Sequence, residues 1–456
     1  MIHVIGLGLS SEQRCPRIME LIREADLVAS GKRLLDDLEI AENRRLLLTG
    51  MDAFAAAIRA RAESASVCVL ADGDPLLYGL GASLLRYFAP GELTFHPNVS
   101  AMQTACARFG LPWHNCRTLS LHGREDLTPL FAALTHDNLM ALYTDQKHSP
   151  DAIARLLLER GVTGWRMNVA EALGGPEEKL STLALTEAAQ CTWHALSIVV
   201  LERTGNPALP LRLGLDEDAL THNDGLMTKQ PVRAFALSLL RLPPDAFMWD
   251  LGAGSGAVSL EAARLLGKGR VVAVERQAER VRHIRENVER TGAWLVEVVH
   301  GSLEEFLGNG NFGDYGKNRN YRTYGSYGTY EKAAEAQDGH AACPKHTSYR
   351  PHMSHSSYSS HSSHSSAPTH IFIGGGASAP VLAQCAALLS SGGRMVIAAV
   401  LLSTLETART VFQELGWPLK VHQLMHHAGS PLAGDLRLTP SNPVFLLETQ
   451  KPSSDT

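Results

Sequence analysis

The sequence predicts an α/β fold built as two successive units, and three observations carry that prediction. Short apolar strands alternate with helical runs from the first residues onward, the pattern of sheets whose strands are mostly parallel. Each early strand runs towards a loop rich in Gly, Asp, Asn or Pro, at the sheet edge where such folds bind ligands. A second unit of strand, glycine-rich turn, helix and strand then starts afresh at Met248 and ends at Glu275. The 456 residues suffice for two or three domains with full cores.

Composition narrows the role. Hydrophobic residues at 45% and charged residues at 20% are ordinary for a soluble globular chain. A net charge of -5 gives no support to a nucleic-acid or membrane-surface partner. Seven cysteines (Cys15, Cys68, Cys106, Cys116, Cys191, Cys343 and Cys385) include no C-x-x-C pair, so reduced thiols in a cytoplasm are expected. No apolar run is long enough for a bilayer, and the N-terminus opens as a strand without a basic lead-in, so no signal peptide is expected.

Residues 2–8 read as a buried strand that includes Gly6-Leu7-Gly8. A helix follows from about Cys15 to Ala25, with Pro16 suited to its first turn. Asp26–Ala29 is a second strand. Val67–Leu70 is a third and runs into Asp72-Gly73-Asp74-Pro75. Tyr78-Gly79 and an apolar helix to about Phe88 come next. Leu93–His96 is a fourth strand, followed by Pro97-Asn98-Val99-Ser100 and an Ala-rich helix. Asp72 and Asp74 suit a ligand contact or a plain turn cap, since Asp-Gly and Asp-Pro are common in turns.

Residues 205–224 hold Gly205, Pro207, Pro210 and the acidic run Asp216-Glu217-Asp218, and read as a linker. It divides a unit over 1–204 from one over 225–452. Gly225 to Arg233 then leads into an apolar helix. On its own this segment is a capped helix start, with Thr228 as the cap and Lys229 and Arg233 as solvated cations.

The strand Met248-Trp249-Asp250 meets Gly252-Ala253-Gly254-Ser255-Gly256. Glycines there let a ligand lie against the backbone at a helix N-terminus. Glu275 ends the next strand, where a carboxylate can accept both ribose hydroxyl protons. The loop also satisfies the loose dinucleotide pattern. Asp250 tips the balance: an acid there would repel a pyrophosphate, but suits the ammonium group of S-adenosylmethionine, which is cationic and has no phosphate.

A third strand, Val296–His300, ends at Gly301-Ser302, where Ser can make a hydrogen bond. A fourth, His370–Ile373, precedes Gly374-Gly375-Gly376. A fifth, Arg394–Val400, follows Ser391-Gly392-Gly393, and Asn442-Pro443-Val444-Phe445 closes the unit. Between the third and fourth lies an insert over 308–368, made of Gly, Asn, Tyr, Ser and His with few aliphatic residues. Such a composition cannot bury a core, so disorder is expected. Its histidines suit borderline metals, but a neutral insertion at a tolerant loop is the expectation.

The motifs together carry a specific resemblance. Gly6-x-Gly8, Asp72-Gly73-Asp74-Pro75 and Phe109-Gly110-Leu111-Pro112-Trp113 resemble the tetrapyrrole methylases of the cobalamin pathway. Ser120-Leu121-His122-Gly123-Arg124, Thr144-Asp145 with Ser149-Pro150, and Leu173-Gly174-Gly175-Pro176-Glu177-Glu178 are similar to the branch acting on precorrin-6Y. Gly225 to Arg233 ahead of the glycine loop resembles the second half of fused enzymes of that branch. The resemblance implies a two-subdomain tetrapyrrole methylase fold in the first half and a Rossmann-like class I methyltransferase fold in the second. It implies S-adenosylmethionine in each half. The contacts would be Gly6, Gly8, Asp72, Gly73, Asp74, Pro75 and Ser100 in the first, and Thr228, Asp250, Gly252, Ala253, Gly254, Ser255, Gly256, Glu275 and Ser302 in the second. His122, Arg124, Lys229 and Arg233 would face a polycarboxylate tetrapyrrole. His122 also suits a structural histidine.

By the same resemblance the first half methylates C5, and the second methylates C15 and decarboxylates the C12 acetate. A cytoplasmic homo-oligomer without a metal is the expected setting. Leu9-Ser10 departs from the Pro-Gly of many relatives, and Ser302 from their Asp. Two other readings compete. One is an RNA, DNA or other small-molecule methyltransferase, although Gly374-Gly375-Gly376 lacks the Asn/Asp-Pro-Pro-aromatic turn of base-amine enzymes. The other is a non-catalytic metal-storage or scaffold protein built on the His-rich insert.

Overall fold

The computed structural model describes residues 1–223, 227–308 and 367–453. The first sheet comprises β1 (Ile2–Gly6), β2 (Leu27–Ser30), β3 (Arg45–Leu47), β4 (Val67–Ala71) and β5 (Leu93–His96). Every pairing is parallel, in the order β3-β2-β4-β1-β5. Helices cover both faces, which is why β2 and β4 are continuous apolar runs rather than alternating ones. Ile5, Cys68 and Leu70 pack with Ile22, Leu34 and Leu35 on one face. Val4, Val67 and Val69 pack with Phe54, Ile58 and Leu84 on the other. The helix expected to reach Phe88 covers only Leu80–Leu84. A turn after it swings Phe88 back into the core beneath the Arg59 guanidinium.

The second sheet departs from the parallel expectation. It comprises β6 (Arg117–Ser120), β7 (Leu139–Tyr143), β8 (Trp165–Glu171), β9 (Lys179–Ala184) and β10 (Ser197–Arg203), in the order β6-β7-β10-β8-β9. Only β6 and β7 are parallel. The loop from Ala172 to Glu178 is too short for the crossover a parallel pair needs, so β8 and β9 run antiparallel.

The third sheet contains β11 (Phe247–Leu251), β12 (Arg270–Glu275), β13 (Val296–His300), β14 (His370–Ile373), β15 (Arg394–Ala399) and β16 (Leu419–Leu424). A ribbon of β17 (His427–Leu432) and β18 (Asp435–Pro440) precedes its last strand, β19 (Val444–Gln450). The order is β13-β12-β11-β14-β15-β19-β16, parallel except where β19 meets β15 and β16. This is the Rossmann-like arrangement, and its order reverses at β11, where such sheets open a crevice. Helices Gln230–Leu240, Ala257–Leu265 and Ala278–Thr291 contribute to the core on one face. Ala379–Leu388 and Leu402–Glu414 cover the other.

Residues 205–223 are packed rather than loose. Leu215 and Leu220 are buried, Thr221 and Asn287 exchange two hydrogen bonds of 2.8 Å, and Leu209 N–H donates to the Arg290 carbonyl at 2.8 Å. The halves also meet directly: Leu295 N–H donates to Thr135 Oγ1 at 2.8 Å, and the His136 ring lies 2.7 Å from the Leu266 carbonyl oxygen. Among the described residues no helix is long and apolar enough to cross a membrane. The disorder and metal expectations for the insert fall almost wholly outside the described residues. Its flanks are clear: Gly308 ends the helix Leu303–Gly308, and the chain returns at the N-terminal end of β14. That end is opposite the one leading to Gly374.

Candidate active sites

The crevice above β11 and β12 is a cavity of about 750 Å³. Gly252 and Gly256 make its floor possible. Both have left-handed backbones (φ +72° and +80°). A Cβ on Gly252 would lie 3.0 Å from the Gly375 carbonyl oxygen, and one on Gly256 would lie 2.9 Å from Ile284. Of the residues expected here, Thr228, Lys229, Asp250, Gly252, Ala253, Gly254, Ser255, Glu275 and Ser302 line the cavity. Gly256 does not; it caps Ala257–Leu265 from beneath.

Two acids sit in the floor. Asp250 is 1% exposed, and its Oδ2 accepts from Ser259 Oγ at 2.5 Å. Its Oδ1 is buried with no hydrogen-bond partner among the described residues. Burial, with Glu275 nearby, pushes its carboxyl up to about 7 despite the Ser259 hydrogen bond. A buried carboxylate oxygen without a donor fits a cationic ligand group. Glu275 accepts from Gly254 N–H and Gln277 N–H, each at 3.0 Å, so it shapes the glycine loop it faces. Ser302 and Glu305 cap each other's backbone at 3.1 and 2.9 Å, which leaves the Ser302 hydroxyl in a structural role at the cavity wall.

The entry segment corrects one expectation. Arg233 does not face a substrate. It is fully buried and pairs with Glu261 at 2.8 Å. It also donates to the Thr228 carbonyl at 2.7 Å and to the Leu215 carbonyl. Its function in the fold is to tie the packed segment to the start of Gln230–Leu240. The cap of that helix is Lys229, not Thr228. Lys229 lines the cavity while pairing with Glu217 at 2.6 Å.

The first sheet carries a smaller cavity of about 380 Å³ beyond β1, β2 and β4. Asp72, Gly73 and Asp74 line it, with Leu9, Tyr78 and Tyr143. Gly6, Gly8, Pro75 and Ser100, expected as cofactor contacts, are not among its lining residues. Gly6 and Gly8 let the Asp72–Pro75 loop approach: a Cβ on Gly6 would lie 2.5 Å from the Gly73 carbonyl oxygen, and Gly8 bridges to Gly73. Ser100 is the buried cap of Ala101–Arg108, in a capping box with Gln103. Asp72 is held by Arg33 at 2.5 Å, and Asp74 accepts from Leu76 N–H at 2.8 Å, so Asp74 is also a turn cap. Tyr78 has an unusual φ of +55° and donates to the Thr118 carbonyl at 2.7 Å, joining the cavity to the second sheet. His122 and Arg124 are exposed on the turn after β6, outside the cavity wall. Asp145 holds that turn by accepting from Gly123 N–H at 2.7 Å.

Sequence reading missed Ser259, Glu261, Asn287 and Tyr143. The first three are polar residues on apolar helix faces, a visible signal of buried hydrogen bonding. Tyr143 ends an apolar strand and carried none.

An α/β enzyme with a glycine loop, paired floor acids and a second sheet-edge cavity is of the methyltransferase class. Residues 1–189 match the family described as Tetrapyrrole (Corrin/Porphyrin) Methylases, and 219–313 with 343–451 match the Precorrin methyltransferase domain. A Mycobacterium tuberculosis (strain ATCC 25618 / H37Rv) protein named precorrin-6Y C(5,15)-methyltransferase (decarboxylating) is 27% identical, over 97% of this chain and 98% of its own. A Sinorhizobium sp protein of the same name is 32% identical, over 67% of this chain and 72% of its own. The Salmonella typhimurium (strain LT2) cobalt-precorrin-7 C(5)-methyltransferase is 31% identical over 44% of this chain and 99% of its own. The chain belongs to the precorrin-6Y C(5,15)-methyltransferase (decarboxylating) family, and it is a methyltransferase.

Proposed function

We propose that this chain uses S-adenosylmethionine in both halves to methylate precorrin-6Y at C5 and C15 and to decarboxylate its C12 acetate. The observation that carries the reading is Asp250 Oδ1, a buried oxygen without a donor beside Glu275 and a glycine loop. A sulfonium nucleoside with an ammonium group matches those acids; a dinucleotide pyrophosphate does not. The likeness of the first part to a C5 enzyme supports C5 methylation there, and so C15 methylation with decarboxylation in the second. The C5 reaction belongs to 1–204 and the C15 reaction with decarboxylation to 225–452, with 205–224 between them as a segment whose Leu215, Leu220 and Thr221 pack onto the second unit.

When bound, S-adenosylmethionine supplies an already activated methyl group. The protein's part is then positioning and exclusion of water. Glu275 holds the ribose end and Asp250 the ammonium end, while the glycine backbone keeps the loop close. In the first half, Asp72, Gly73 and Asp74 present the corresponding loop. The conjugated macrocycle is its own electron sink for decarboxylation, so no protein nucleophile is required. A cytoplasmic homo-oligomer belongs to the same reading. Leu432, Leu436 and Leu438, exposed on the β17–β18 ribbon, support self-association.

Incubation with precorrin-6Y and methyl-labelled S-adenosylmethionine tests the proposal by mass. Two labelled methyls and one lost carbon dioxide are expected. No label, or label without decarboxylation, refutes it.

A further inference from the structure

The C-terminal cavity is electrically divided. Asp250 and Glu275 lie buried in its floor, whereas Lys229, Arg276 and Arg280 line it nearer solvent, with Glu304 as the one acid exposed among the lining residues. Lys229 is neutralised by Glu217. Arg276 and Arg280 have no ion pair among the described residues, and Arg280 Nε is buried without a hydrogen-bond partner. Both arise where β12 runs into Ala278–Thr291. The backbone there is fixed: Glu275 accepts from Gln277 N–H at 3.0 Å, and the His300 ring lies 3.2 Å from the Arg276 carbonyl oxygen.

Both guanidinium groups lie on the solvent side of the cavity, Arg276 exposed and Arg280 half-buried, away from the buried floor acids that suit the cofactor's ammonium group. The cofactor brings a single carboxylate, whereas a polycarboxylate tetrapyrrole entering from the solvent side brings several. Guanidinium forks match carboxylates in geometry, and a buried, unpartnered Nε is a donor awaiting an acceptor. We infer that Arg276 and Arg280 bind peripheral carboxylates of the polycarboxylate tetrapyrrole in the C-terminal half. They take the role that sequence reading gave to Arg233. The inference rests on the proposed function, and it makes this pair a determinant of substrate binding rather than of cofactor binding.

The test uses the full chain carrying Arg276→Met, Arg280→Met, or both residues changed to Lys. KM and kcat for C15 methylation of precorrin-6Y are measured beside the calorimetric Kd for S-adenosylmethionine. Each Met variant should raise KM about tenfold, with kcat at saturation and cofactor Kd within about twofold of the parent. The Lys pair should recover part of the KM, since it restores charge without the fork. Unchanged KM in both Met variants overturns the inference, as does cofactor Kd weakening in step with KM. Should the parent not turn over precorrin-6Y, the proposed function fails instead. Fluorescence titration with uroporphyrin III, a porphyrin octacarboxylate, then still decides the arginines: about tenfold weaker binding in the Met variants supports them, and equal binding overturns them.

Discussion

Replacing Asp250 with Asn should move stability and cofactor affinity in opposite directions. The side chain is fully enclosed, and its carboxyl is raised from 3.8 to about 7, chiefly by burial. An acid raised in the folded state imposes no penalty below pH 3.8, where it is protonated in both states. Stability is then lost as pH climbs from 3.8 to about 7, and the full penalty persists above. At about 1.4 kcal/mol per pH unit, that gap bounds the penalty at about 4 kcal/mol. Asn keeps the volume and a partner for Ser259 but carries no charge. Between pH 5.5 and pH 8 the ligand-free parent should therefore lose about 2 kcal/mol relative to the variant. Taking the difference between two pH values removes any constant cost of the buried amide. Urea unfolding followed by tryptophan fluorescence measures it, with Trp249 in the same strand. For S-adenosylmethionine the sign reverses. Loss of the charged acceptor should weaken binding about ten- to hundredfold, or about 1.5–3 kcal/mol. Parent affinity should rise about tenfold per pH unit up to about pH 7, with proton release, and then level off; the variant should show neither effect. Equal affinity, or no relative gain in the variant's stability between the two pH values, would refute the reasoning.

Glu275→Ala removes the acceptor that fixes the glycine loop through two backbone N–H groups, so cofactor affinity should fall by at least tenfold in calorimetry. Arg233→Met leaves Glu261 buried and uncompensated and should cost about 3–5 kcal/mol in chemical unfolding, with Glu261→Met on top recovering part of it. A C-terminal fragment beginning at 205 should fold and bind cofactor, whereas one beginning at 225 should aggregate, because Leu215, Leu220 and Thr221 pack on it; circular dichroism and calorimetry distinguish them. Deleting 309–366 across a short Gly-Ser joint should leave cofactor Kd and both methylations within about twofold of the parent, since its return point lies at the N-terminal end of β14. Cobalt titration of parent and deletion should give equal binding.

Residues whose role depends on local pattern were legible; those whose role depends on distant partners were not. β5, β13 and β14 fall where strand patterning puts them, because each is a short apolar run bounded by turn residues. The glycine loop was legible because its spacing is itself the geometry. Arg233 was misread because nothing near it in sequence distinguishes a solvated cation from a buried one; its partner Glu261 lies on another helix. Leu215 and Leu220 were hidden the same way, among Pro, Gly and acids that promise a linker. The approach of the Asp72–Pro75 loop to Gly6 and Gly8 was not legible, because a glycine kept for backbone approach looks alike in sequence whatever group approaches it. The antiparallel second sheet escaped because periodicity reports a strand but not its direction.

The two cavities share a sheet-edge position but differ in electrostatics. In the first, Asp72 has the Arg33 guanidinium and Asp74 the Leu76 N–H, so both acids are satisfied within the protein. In the second, Asp250 keeps one buried oxygen bare and Glu275 is spent on the loop it faces. A satisfied acid adds little to a ligand's affinity, because binding only exchanges one partner for another. A bare buried acid adds much, because the ligand relieves a desolvation that the fold already bears. On the proposed function, the first half is then expected to hold its cofactor through shape and backbone contacts, with Gly6 and Gly8 bringing the Asp72–Pro75 loop into place. The second is expected to hold it through charge. The pH dependence derived for Asp250 therefore belongs to C15 methylation alone, and acidification should weaken the C-terminal reaction before the N-terminal one.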